Sequence, residues 1–135
     1  MARLAKRRLT GHAALLADLG GWDTLDSLEG RRVLIVVDAA MAGAGFEPGA
    51  WRRIDYLATP ERLEACGLRD THTAGVGAML EIARTLGKLP EHVWIYAIAG
   101  ERFGPEEAMS AKVRGVVMRV AREIEEDVRG RITRI

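Results

Sequence analysis

The stretch Arg32 to Gly43, RVLIVVDAAMAG, constrains this chain more than any other. Five apolar residues, Val33 to Val37, follow one another without a polar break. An uninterrupted β-branched run bounded by turn residues predicts a strand buried on both faces, the pattern of a central parallel strand in an α/β sheet. The run ends on Asp38, and small residues and glycines follow. Open α/β sheets bind their ligands outside the carboxyl ends of their strands, which makes Asp38 a candidate functional carboxylate. An aspartate that only caps a turn or the next helix is the plainer structural alternative.

A second run of the same kind, Val93 to Ile98 (VWIYAI), follows Leu89-Pro90-Glu91-His92. Between the two runs, Phe46-Glu47-Pro48-Gly49 has tight-turn chemistry: proline sets φ and glycine supplies a positive φ. Ala50 to Tyr56 (AWRRIDY) predicts an edge strand, with Arg52, Arg53 and Asp55 guarding it against edge-to-edge pairing. Asp23 to Glu29 predicts a short helix carrying Leu25 and Leu28 and stopped by Gly30. Pro60 to Gly67 reads as another short helix, and residues 2–9 favour helix with only a partial apolar face. Residues 12–18 are ambiguous between strand and helix.

Asp70 to Gly87 carries Val76, Met79, Leu80, Ala83 and Leu86 at helical spacing, with Gly87 as the stop. Thr73 is a candidate N-cap, which puts His72 in the loop just before a helix N-terminus. The positive end of a helix disfavours imidazolium, so this position favours neutral imidazole, the metal-binding form. The alternative is a surface loop histidine with no role. Ser110 then caps a final helix over 110–128, where Val113, Val116, Val117, Val120, Ile124 and Val128 form one apolar stripe. Glu123, Glu125, Glu126 and Asp127 lie mostly off that stripe and read as a solvated face. Strands alternating with helices predict α/β layers.

Composition narrows the function. At 135 residues the chain is a single domain, residues 1–135, with room for a real core. A formal net charge of +1 argues against a nucleic-acid partner, which wants a concentrated basic face. No apolar run approaches the ~18 residues of a membrane span, so no membrane association is expected. MARLAKRR is basic but is not followed by an apolar segment, and no signal peptide is expected. The one cysteine, Cys66, fits a reducing cytoplasm and argues against a structural zinc site.

The ordered set GGWDTLDSLEG at 20–30, RVLIVVDAA at 32–40, EPG at 47–49 and THTAGVGAMLEIARTLGKLPEHVWIYAIAGERFGPEEAMSAKV at 71–113 resembles the hydrogenase maturation proteases. These endopeptidases trim the C-terminus of nickel hydrogenase large subunits. The resemblance covers roughly residues 2 to 128. It implies a twisted mixed β-sheet flanked by helices on both faces, phosphorylase/hydrolase-like. It also implies that Asp38 and His72 are catalytic residues and metal ligands, matching the strand-end aspartate and the helix-start histidine of the family. Oxygen and imidazole donors suit nickel among several divalent metals. In the family the nickel is carried by the substrate, the hydrogenase large-subunit precursor, and signals that metal insertion is complete.

The resemblance has one gap. Family members begin with a strand, a GxGN loop and an acidic residue that supplies the first metal ligand, and these residues contain no counterpart. Asp18 and Asp23 match no ligand position. Either the sequence is an N-terminally truncated version of a longer protein, or it is a degenerate member that binds a metalloenzyme precursor or another protein without cutting it. Both readings expect the 135 residues alone to cleave poorly, and the incomplete sheet to favour self-association. A third reading is a small α/β domain in which Asp38 and His72 are merely structural.

Overall fold

In a computed structural model of the chain, the described residues are 22–41, 45–62, 74–100 and 111–133. They form α1 (Trp22–Ser27), β1 (Val33–Met41), β2 (Trp51–Asp55), α2 (Ala74–Thr85), β3 (His92–Gly100) and α3 (Ala111–Thr133). The strands make one sheet in the order β1-β3-β2. β1 runs parallel to β3, from Val33 opposite His92 to Met41 opposite Gly100. β2 runs antiparallel to β3, from Trp51 opposite Ile98 to Asp55 opposite Trp94. The sheet is therefore mixed, and helices cover both of its faces, as expected of the α/β class.

Period-two alternation divides the core. Val93, Ile95, Ala97 and Ala99 of β3 point to one face and pack with Leu34, Val36, Ile54, Leu25 and Leu28, and with Met79, Leu80 and Ala83 of α2. Trp94, Tyr96 and Ile98 point to the other face and pack with Val120, Ile124 and Val128 of α3. Every residue of β3 from Val93 to Gly100 is buried, as a strand covered on both sides must be.

Among the described residues the central position goes to β3, and the burial of Val33 to Val37 on both faces is only partial. Among the described residues β1 lies at an edge of the sheet, with Leu34 and Val36 buried but Val33, Ile35 and Val37 only half-buried. An apolar run reports low polarity along a strand, not how many neighbours the strand has. Nor does the strand stop at Asp38. Ala39, Ala40 and Met41 go on pairing with Ile98, Ala99 and Gly100, because the ladder is built from backbone groups that every one of these residues has. Whether the edge of β1 is uncovered, as expected of a sheet lacking the family's first strand, depends also on residues 1–21, which lie outside the described residues. Most of the helix expected over 60–67 lies outside them as well.

Local chemistry sets the element ends. Glu47-Pro48-Gly49-Ala50 is a type II turn: Ala50 N donates to Glu47 O at 2.9 Å, and Gly49 has φ +85°. That turn is tied to the sheet by Gly49 N on Ala99 O and Ala99 N on Ala50 O. α2 closes in a Schellman motif: Lys88 N reaches Ala83 O, Gly87 N reaches Arg84 O, and Gly87 has φ +67°.

The solvated-face reading of the acidic cluster fails at Asp127. Asp127 Oδ2 accepts a hydrogen bond from the buried Tyr96 hydroxyl at 2.5 Å, and Oδ1 pairs with Arg53 Nη1 at 2.8 Å. β2, β3 and α3 are thus joined through one carboxylate. Nor does Arg53 act only as an edge guard, because its side chain turns onto the α3 face. Glu126 is exposed, and Glu125 pairs with Arg129 one turn on.

Candidate active site at the carboxyl end of the sheet

Asp38 is the sixth residue of β1 and lies opposite Ala97. Alternation puts it on the same face as Leu34 and Val36, the face that α2 covers. It is half-buried. On the row below it, Val36, Ile95 and Ile54 are buried, and in its own row Asp38 and Arg52 flank the buried Ala97.

The direction of α2 relates the second candidate to the first. Tyr56 N bonds Val93 O at the amino end of β3. The Tyr56 hydroxyl is held above its ordinary pKa by burial and by the charge of Glu81, with Arg84 opposing. The last turns of α2 therefore lie at the amino end of β3, and Leu86–Glu91 lead directly into that strand. α2 runs antiparallel to β1 and β3 and begins, at Ala74, toward the carboxyl ends of the strands. That is the end of the sheet to which Asp38 belongs. His72 falls outside the described residues, two positions before the helix starts.

Two features of this end were not singled out from the sequence as site features. Arg52 shares the row of Asp38, on the far side of Ala97. Its guanidinium carbon lies 4.8 Å from the centroid of the Phe46 ring, and Nη2 donates to Gly45 O. No local signal marks this arrangement, since it depends on the register of two strand pairs. The second feature is the type II turn, anchored beside Ala99, which positions the chain entering β2.

As a metal centre, the described residues are incomplete. Asp38 offers carboxylate oxygen, a suitable donor for a divalent cation, but among the described residues no three His, Cys, Asp or Glu side chains gather.

A family model for hydrogenase maturation proteases (HycI) matches residues 3–127. The chain belongs to the hydrogenase maturation protease family. No curated protein matches it by sequence. The fold agrees with solved structures. The hydrogenase maturating endopeptidase HybD from Escherichia coli is similar with a TM-score of 0.71 at 17% identity, over 95% of this chain and 81% of that one. An endopeptidase from Escherichia coli solved in solution gives 0.71 at 16% identity, over 90% and 77%. The [NiFe] hydrogenase maturation protease HybD from Thermococcus kodakarensis gives 0.63 at 19%, over 92% and 84%. At these identities the likeness is one of fold. Family membership makes the carboxyl end of the sheet, with Asp38, the candidate active site. Among the described residues no helix is long and apolar enough to cross a membrane.

Proposed function

We propose that this protein is a cytoplasmic endopeptidase that removes the C-terminal peptide of a nickel hydrogenase large-subunit precursor once nickel has been inserted. The observation that carries this reading is the placement of Asp38 at the carboxyl end of a parallel strand pair, in a chain whose family match extends over residues 3–127. Asp38 and His72 are the residues proposed to face the nickel of the substrate. Peptide hydrolysis adds water to the scissile carbonyl carbon and breaks its bond to nitrogen. Nickel held by the precursor supplies a Lewis acid for that carbonyl or for the water. Asp38 is suited to orient the metal-bearing segment and to accept a hydrogen bond from the attacking water.

The test is incubation of the chain, in excess over precursor, with nickel-loaded and nickel-free large subunit. Excess enzyme keeps a slow step visible. The mass of the precursor is read with time. The loaded precursor should lose its C-terminal peptide and the nickel-free precursor should not. Asp38→Asn and His72→Ala should stop the loss while leaving the melting temperature within a few degrees. Equal processing of nickel-free precursor would overturn the nickel requirement. Undiminished processing by Asp38→Asn would remove Asp38 from the mechanism.

A further inference from the structure

α3 is anchored at mid-sheet, where Asp127 meets Tyr96 and Arg53. At ~1.5 Å per residue, the helix from Asp127 back to Ala111 spans about 24 Å, whereas β3 from Tyr96 to Gly100 spans only about 13 Å. Were α3 parallel to β3, residues 101–110 would have to bridge about 37 Å, close to their fully extended length. α3 therefore runs antiparallel to β3, and its first turns project past the carboxyl end of the sheet, the end to which Asp38 belongs. Burial agrees: Val120, Ile124 and Val128 are buried in the cluster with Trp94, Tyr96 and Ile98, while Val116 and Val117 are only half-buried.

The exposed side of this projecting half carries Arg114, Gly115, Met118, Arg119 and Arg122. Residues four apart are neighbours on a helix surface, so Met118 stands between Arg114 and Arg122. None of the three arginines has an ion-pair partner among the described residues. From Ala111 to Arg122 the helix contains no Asp or Glu. Arg114, in the first turn, opposes the helix dipole and does not stabilise α3. Gly115 weakens the helix as well, and a Cβ there would meet nothing within 4 Å, so no contact inside the molecule requires a glycine. Arginine and methionine are enriched at protein interfaces, where lysine and carboxylates are depleted. A glycine lets another surface come close to the helix backbone.

We propose that this strip, residues 114–122 of α3, is a docking surface for the protein substrate and receives an acidic face of the folded precursor. The proposal rests on the endopeptidase reading and names the surface that brings the precursor to the carboxyl end of the sheet. The guanidiniums pair with carboxylates, Met118 packs against apolar surface between them, and Gly115 lets the two surfaces close. A net charge of +1, and the exposed Glu126 one turn after Arg122, keep the basic strip short. That suits a patch of carboxylates better than a nucleic-acid backbone, which wants a broad basic face.

The experiment titrates nickel-loaded precursor with wild type, the neutral triple variant Arg114→Gln/Arg119→Gln/Arg122→Gln, Gly115→Gln, and Arg31→Glu as an exposed control at the amino end of β1. Complex formation and the single-turnover rate are read, with a melting temperature for each chain. The triple variant should raise the half-saturating concentration about tenfold or more at ~50 mM salt, with the limiting rate within about twofold, and the difference should shrink toward ~0.5 M salt. Gly115→Gln should melt higher, because glutamine favours helix, and should bind more weakly; a position important only to the helix would not move the two in opposite directions. Arg31→Glu should match wild type. A triple variant that binds like wild type at low salt overturns the docking surface and leaves the endopeptidase reading standing. A loss of binding by the same factor at every salt concentration also overturns it, because charge pairing would not be its source. Binding to phosphatidylserine vesicles that the triple variant loses, with precursor binding unchanged, overturns it in favour of a membrane partner. Wild type that binds the precursor through the strip but never processes it keeps the docking surface and removes the endopeptidase reading. Wild type that does not bind the loaded precursor overturns the proposal.

Discussion

Asp127→Ala leaves the Tyr96 hydroxyl, buried beneath α3, without its acceptor, and leaves Arg53 without its ion pair. The two losses differ in size. A buried hydroxyl that loses its hydrogen bond costs roughly 1–3 kcal/mol, since no water replaces the acceptor. The Arg53 pair contributes at most about 1 kcal/mol, because the arginine side chain is 42% exposed and solvent screens it. Asp127→Ala should therefore destabilise the fold by about 2–3 kcal/mol. Tyr96→Phe removes the donor as well as the need for an acceptor, and leaves Asp127 its arginine, so it should cost only about 1–2 kcal/mol. The double variant should cost less than the sum, with a coupling of at least about 1 kcal/mol. Urea denaturation read by tryptophan fluorescence measures all four chains, taking midpoint shifts at constant slope. A coupling below about 0.3 kcal/mol would show that the hydroxyl and the carboxylate do not share a hydrogen bond in solution, and the latch between β2, β3 and α3 would be refuted.

The same latch sets an alkaline limit. Burial first, then the hydrogen bond and charge of Asp127, raise the Tyr96 pKa far above its ordinary value of about 10, with Arg53 opposing. A raised folded-state pKa contributes stability that is complete below the unfolded value and is lost above it. Unfolding free energy should thus fall above about pH 10, by up to ~1.4 kcal/mol per pH unit for this tyrosine, and Tyr96→Phe should flatten that slope in urea melts at pH 9–11. Gly49→Ala forces an L-residue to φ +85° and should cost about 1–2 kcal/mol, read as a lower urea midpoint. Leu80→Ala empties a fully buried position of α2 and should cost about 2–5 kcal/mol, with the same readout.

Much of the fold was legible in the residues because it is local. The Val33–Val37 and Val93–Ile98 runs are strands, the helices fall at 74–85 and 111–133, and Gly30, Gly49 and Gly87 turn the chain with positive φ. Each of these follows from periodicity or from the torsions a residue tolerates within a few positions. The ordered motifs also led to the family. Asp38 could be named as a candidate because the apolar run points to it.

What the chain by itself determined, then, was which segments are strands and helices and which carboxylate ends the first apolar run. Only the tertiary structure decided that, among the described residues, β3 pairs on both sides and β1 on one. It also decided that Arg52 stands in the row of Asp38, and that Asp127 serves Tyr96 and Arg53 instead of solvent. Strand order and register come from contacts between residues tens of positions apart. A one-residue shift in β2 would exchange Arg52 and Arg53 between the two faces of the sheet while leaving the pattern of residues along the strand unchanged.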